Sequence, residues 1–235
     1  MQTTKNWFVK VTNMEQGESD AYGLWLIAAI NIIVFLFFAL RFLQPKDKAE
    51  WRNMSILTVF FAALFAEMYG FPLTIFILAS WLGDAYPVAE PFSHKFGNLW
   101  VVLFGGSGLA WVFVMVVGIL LLVMGYTLLS KGWKLIQTAQ GDLITDGVYA
   151  YARHPQYTGL FFVIVGFLIQ WPILPTIIIA PILLYAYTHL AKSEEQNIRR
   201  EVGDVYEKYA QTVPAFFPPL SQWKGFFTAK LGKAF

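Results

Sequence analysis

The residues best equipped for chemistry fall in two short strings, Arg153-His154-Pro155-Gln156-Tyr157 and Ser193-Glu194-Glu195-Gln196, with Tyr149 and Tyr151 just ahead of the first. Pro155 suits the first position of a helix, where its missing N–H has no intrahelical partner anyway, and a proline there pushes His154 out of helical geometry. The amides and positive dipole end of such a helix, beside Arg153 and His154, make a seat for an anion such as a carboxylate. Tyrosine faces and the Glu194–Glu195 pair would attract a cation instead. Other chemistries lack their residues. The chain has no cysteine, which excludes thiolate nucleophiles and thiolate metal sites, and its 3 histidines are scattered, so no metal site is expected.

The elements that must position these strings are membrane helices. Of the 235 residues 57% are hydrophobic and 14% charged, too apolar for a soluble domain, and the net charge of +2 gives no excess for nucleic acid. A span needs about 20 apolar residues. Ala21–Leu43 qualifies, and Ser55–Leu82 reads as one long span bent at Gly70-Phe71-Pro72. Asp84–Asn98, with His94, reads as a loop; Gly108–Ser130 is a third span that continues as helix through Lys131–Gln140. Tyr157–Gln170 and Leu174–Leu190, separated by Trp171-Pro172, read as a tight hairpin. The expected fold is an all-α polytopic membrane protein of about five transmembrane helices. Its expected divisions are an extracytoplasmic tail at 1–20, helices one to three over 21–139, a cofactor-binding region with helices four and five over 140–220, and a basic aromatic membrane-surface tail at 221–235. All of the 17 Lys and Arg except Lys5, Lys10 and Lys95 then fall on one side, which puts the N-terminus outside and the C-terminus in the cytoplasm.

The two arms of the hairpin are of similar length, so their ends lie at similar depth and His154 should neighbour Glu194 at the cytoplasmic boundary. A basic, proline-started helix end facing an acidic pair fits a zwitterion with an added positive centre. S-adenosylmethionine has that pattern, an amino-acid end plus a sulfonium.

Leu143-Ile144-Thr-Asp-Gly147-Val-Tyr149, Arg153-His-Pro-Gln-Tyr157, Glu194-Glu195, Gly203-Asp-Val-Tyr206 and Phe217-Pro218 together resemble the signature of the isoprenylcysteine carboxyl methyltransferase family; the phospholipid N-methyltransferases are similar. The resemblance runs from about Gln140 to Pro219. It implies an integral membrane enzyme that binds S-adenosylmethionine on the cytoplasmic side and takes a lipophilic or lipidated methyl acceptor from the bilayer. It further implies that Leu143, Ile144, Gly147 and Tyr149 line the adenosyl side. His154, Pro155, Tyr157 and Glu194 or Glu195 would hold the methionine side, with Arg153 beside the reaction centre.

Several residues have a plainer reading. Arg199 lies four residues after Glu195, the spacing of a surface ion pair, whereas Glu194 has no such partner and is the better ligand candidate. Glu67 lies near mid-membrane if the second helix is continuous, either as a substrate-binding group or as a neutralised carboxyl bonded beside the Pro72 break. His189 is a packing residue or, through its nearness to Glu194, a substrate contact. Pro214, Pro218 and Pro219 either fold the tail back beneath the cofactor or mark a loose end. A carboxylate acceptor needs no base and could be oriented by Arg153; a thiol or an amine would need Glu194, Glu195 or Glu67. The rival functions are an NADPH-dependent reductase of the sterol-reductase type and a non-catalytic membrane scaffold.

Overall fold

The computed structural model describes residues 23–45, 48–82, 98–104, 107–139 and 143–229. The expected tail at 1–20 and most of the Asp84–Asn98 loop, His94 included, lie outside them. The described residues are helical and contain no strand. Four helices are long and apolar enough to cross a membrane: α1 (Trp25–Leu43), α2 with its closing π turn (Lys48–Gly70), α5 (Gly108–Ala139) and α7 (Leu174–Val202). A fifth apolar helix, α6 (Pro155–Gln170), has 16 residues. The short helices α3 (Leu73–Leu82) and α4 (Leu99–Leu103) lie between α2 and α5. Helices α8 (Asp204–Thr212) and α9 (Trp223–Thr228) follow α7.

The second span departs from expectation. Its helix runs as π turns through Ala66–Gly70 and stops at Phe71, where Pro72 has no N–H to continue the ladder. The amides of Gly23 and Leu24 donate to the carbonyls of Gly70 and Tyr69, each at 2.8 Å. The end of α2 is therefore level with the start of α1, and the span closes at Gly70 rather than running on to Leu82. The Trp25 ring lies so close to Gly70 that a Cβ there would come within 2.6 Å of it. Glu67 consequently sits in the last turn of the span, not near its middle. Its carboxylate accepts the Thr74 amide, and the Thr74 hydroxyl accepts the Leu174 amide at 2.9 Å. This short relay ties the break in α2 to the turn between α6 and α7.

Helices α5 and α6 hold the hairpin in place through glycine. Gly118, Gly125 and Gly132 recur at heptad spacing on α5 and meet the stretch of α6 that carries Gly166 and Gly159 and begins at Pro155. A Cβ on Gly125 would lie 2.5 Å from the Gly159 carbonyl, and one on Gly159 would lie 2.8 Å from the Gly125 carbonyl. Backbones this close gain van der Waals contact that larger side chains would forbid, the usual basis of tight helix pairing in lipid. At the inner end Gly132 lies against Gln156, which fixes where the first turn of α6 sits along α5. Leu57, Phe60, Phe61 and Leu64 of α2 pack with Ile164 and Phe167 of α6 and Leu183 and Tyr187 of α7, completing the core above the site. Elsewhere α1, α5 and α7 show apolar side chains such as Phe37, Phe113 and Ile178 to the outside, as a bilayer requires.

Candidate functional site

Pro155 opens α6 at its first position, and His154, at φ −124° and ψ 61°, is non-helical before it. From there α6 rises to Gln170, turns through Trp171–Ile173, and α7 returns past its apolar section without a break. The continuation of α7 to Val202 carries Glu194 and Glu195 alongside Arg153, His154 and Tyr157.

The two tips touch directly. Nε and Nη2 of Arg153 each lie 2.9 Å from Oε1 of Glu195, and Nε2 of His154 lies 3.0 Å from the same oxygen. Tyr157 donates its hydroxyl to Oε1 of Glu194, whose Oε2 is 3.6 Å from Nδ1 of His154. The His154 and Tyr157 rings are nearly parallel, with centroids 5.7 Å apart. Sequence spacing suggested a ligand between a basic half and an acidic half, but the hairpin closes until these halves form a single hydrogen-bonded wall. Arg199, the expected partner of Glu195, is 3.9 Å away and makes its shorter contact, 2.9 Å, with Glu207. Glu194 is not without a partner, as its bond with Tyr157 shows.

The chain after α8 completes this wall. Arg153 and His154 donate their amides to the carbonyls of Pro214 and Ala215, both at 2.9 Å, and the Thr158 hydroxyl donates to Phe216 at 2.7 Å. Nη1 of Arg153 donates to the carbonyls of Ala210 and Val213 at 2.9 and 2.7 Å. The proline-rich segment thus folds back beneath the start of α6, and the two amides leading into that helix are used by the protein itself. Further on, Lys131 binds the carbonyls of Phe227 and Ala229 at 2.6 and 3.0 Å, and Phe226 is buried in a cluster with Val148 and Leu135. Helix α9 is therefore docked on the protein rather than lying apart from it.

A cavity of about 460 Å³ opens beside the wall. Of the residues anticipated as a site, Leu143, Ile144, Tyr149, Arg153, His154, Tyr157 and Glu194 line it. Gly147 forms the left-handed entry, φ 60°, to the 3-10 turn that presents Tyr149. Pro155 and Glu195 are buried behind the lining. The Tyr149 carbonyl accepts the Tyr209 hydroxyl at 2.7 Å, which ties that turn to α8. Burial and the nearby Glu195 charge push the Tyr206 hydroxyl up to about 12, and burial raises those of Tyr149 and Tyr209 as well, so all three remain neutral at neutral pH. Glu67 is remote from the cavity, and His189 is on the exposed side of α7, its ring 6.3 Å from that of Tyr185.

Sequence reasoning missed other lining residues. Asn197, Ile198 and Glu201 follow Glu194 at intervals of three, four and seven, a helical face that continuing α7 beyond the membrane would have revealed. Phe42, Leu43, Gln44 and Glu50 come from the α1–α2 connection, and Trp133 and Ile136 from the inner end of α5. No local pattern marks them, because only packing brings those helices to the hairpin.

Residues 110–200 match the model of the isoprenylcysteine carboxyl methyltransferase (ICMT) family. Over these residues the chain belongs to that family. It is also similar to a protein-S-isoprenylcysteine O-methyltransferase of Schizosaccharomyces pombe, 34% identical over 77 residues, which are 32% of this chain and 33% of the relative. The aligned stretch thus spans about a third of the length of that curated relative. No solved structure gives a significant match. The isoprenylcysteine carboxyl methyltransferase region contains the Arg153–Tyr157 and Glu194–Glu195 strings, whereas Glu50, Glu67, Tyr206 and Tyr209 lie outside it. Its apolar helices and this family together make the chain an integral membrane protein.

Proposed function

We propose that this protein is an S-adenosylmethionine-dependent methyltransferase of the membrane, acting on a lipophilic acceptor that enters from the bilayer. Its N-terminus lies outside, and its site and C-terminus face the cytoplasm. The observation that carries this reading is the cavity at the inner end of an apolar bundle, walled by His154, Tyr157 and Glu194 and flanked by the Leu143–Tyr149 segment.

The lining suits the donor. The volume falls within the range of about 300–1,000 Å³ common for small-molecule sites. Leu143, Ile144 and Tyr149 offer apolar and aromatic surface to an adenosyl group, and Glu194 offers a carboxylate to an ammonium or sulfonium. His154 and Gln156 are the groups placed to meet the donor's carboxylate. When bound, the donor supplies an electrophilic methyl carbon, which the acceptor's lone pair takes while the sulfur keeps the C–S bonding pair. The protein's work is alignment and exclusion of water. In this reading Arg153 is a positioning residue, because its guanidinium already binds Glu195 and two carbonyls.

The same observation weighs against the reductase. A phosphate-rich dinucleotide needs cationic partners, and the two basic groups among the described lining residues, Arg153 and His154, are already committed to Glu195 and Glu194. The test is incubation of the purified protein with isotopically labelled methyl donor and a membrane lipid extract, followed by lipid analysis. Label in an extractable lipid is the expected result. Absence of transfer together with absence of donor binding would favour the scaffold.

A further inference from the structure

We infer that Glu50 selects the acceptor and that the preferred acceptor carries a protonatable amine at the end of an apolar tail; this rests on the methyltransferase reading above. Glu50 is in the first turn of α2, outside the matched residues 110–200, so the family resemblance assigns it nothing. It nevertheless lines the cavity together with Phe42 and Leu43.

Its position relative to the other groups is definite. Tyr149 interacts electrostatically with Tyr209 and Glu194, and Tyr157 with Glu194, Glu50 and Tyr187. The cavity therefore runs from the Tyr149–Tyr209 end, through Glu194 and Tyr157, to Glu50. If the adenosyl group takes the Tyr149 end and the donor's charged centres the middle, the acceptor end is the one that Glu50 borders. Phe42 and Leu43 close the last turns of α1, whose outer surface is apolar, so this end of the cavity adjoins the route by which a lipid tail would arrive.

Charge then decides the headgroup. Glu50, Glu194 and Glu201 are carboxylates in the described lining, and Arg153 and His154 are its basic groups, each already in contact with a glutamate. Glu50 keeps contacts of its own; what matters is the sign of its charge and its place. A carboxylate acceptor would meet a like charge there, whereas an ammonium would meet an opposite one with aromatic rings beside it. Before reacting, the ammonium must lose one proton to water, which exposes the lone pair that takes the methyl group.

The experiment compares three probes of equal chain length, a long-chain primary amine, carboxylic acid and thiol, with wild type, Glu50→Gln and Glu50→Asp. Binding is read by calorimetry without methyl donor, and transfer with labelled donor; donor binding is measured separately on every variant. Wild type should bind and methylate the amine in preference to the other two. E50Q should weaken amine binding by at least about tenfold, one 1.4 kcal/mol step, narrow the gap to the carboxylic acid, and leave donor affinity unchanged. E50D should restore part of the amine preference. Preference for the carboxylic acid or thiol in wild type, or an amine affinity unmoved in E50Q, overturns the inference while leaving the methyltransferase reading intact. Failure of wild type to bind the donor overturns both.

Discussion

Removing Glu195 should unfold the inner end of the hairpin, and the structure sets the scale. Glu195 is 7% exposed, and one of its oxygens serves both Arg153 and His154. Deleting one member of a buried ion pair costs about 3–5 kcal/mol, because the partner charge remains buried without compensation. For a chain of this length each kcal/mol moves the midpoint by about 2–4 °C, so Glu195→Ala should lower the thermal midpoint in detergent by roughly 6–20 °C. The informative comparison is the double variant Arg153→Met with Glu195→Met. Removing both charges eliminates the stranded partner, so the double variant should be no less stable than either single one, with a coupling energy of about 2 kcal/mol or more between the sites. Arg153→Met, Glu195→Met and the double variant would be followed by tryptophan fluorescence and calorimetry in the same detergent. Additive losses, or a single-variant shift of only a degree or two, would show that the pair does not hold the tips together.

Gly125→Ala places a Cβ where the Gly159 carbonyl lies at 2.5 Å and should markedly destabilise the protein, whereas Gly108→Ala, with open space around it, should leave the thermal midpoint within about 1 °C. Glu67→Ala strands the buried Thr74 amide and should cost about 1–3 kcal/mol in denaturation experiments without changing donor affinity, since Glu67 serves the α2–α3 break and not the cavity. Tyr209→Phe removes the hydrogen bond to the Tyr149 carbonyl and should weaken donor binding, by calorimetry, by about twofold to tenfold. His189→Ala should leave donor binding as it is, because its ring is on the exposed side of α7.

The parts of the fold legible in the sequence are those with a local cause. Apolar run length marked the membrane helices, Pro155 marked where α6 begins, and the equal arms about Trp171-Pro172 brought His154 and Glu194 to one level. Gly70 and Pro72 marked the break in α2 but not its consequence, because ending the span there depends on the Gly23 and Leu24 amides finding Gly70 and Tyr69. The placement of Glu67 changed with it. At the site, the identity of the wall residues followed from their types, while their direct pairing did not. Whether Arg153 faces a ligand or Glu195 is settled by side-chain reach and by the carbonyls of Ala210 and Val213, which arrive from a segment sixty residues later in the chain. Glu50 was invisible for the same reason: one carboxylate at a helix start has no pattern until α2 packs against α7. The glycines at 118, 125 and 132 were readable as a heptad and explain how α6 can lie so close to α5.

Titration of the purified protein with S-adenosylmethionine, in parallel with NADPH, tests the central claim most directly when wild type is compared with folded His154→Ala and Tyr157→Phe variants. Saturable binding of the methyl donor by wild type, lost or strongly weakened in both variants and not reproduced by the nicotinamide cofactor, is the predicted result. Undiminished donor binding by both variants, or binding of NADPH alone, would contradict it.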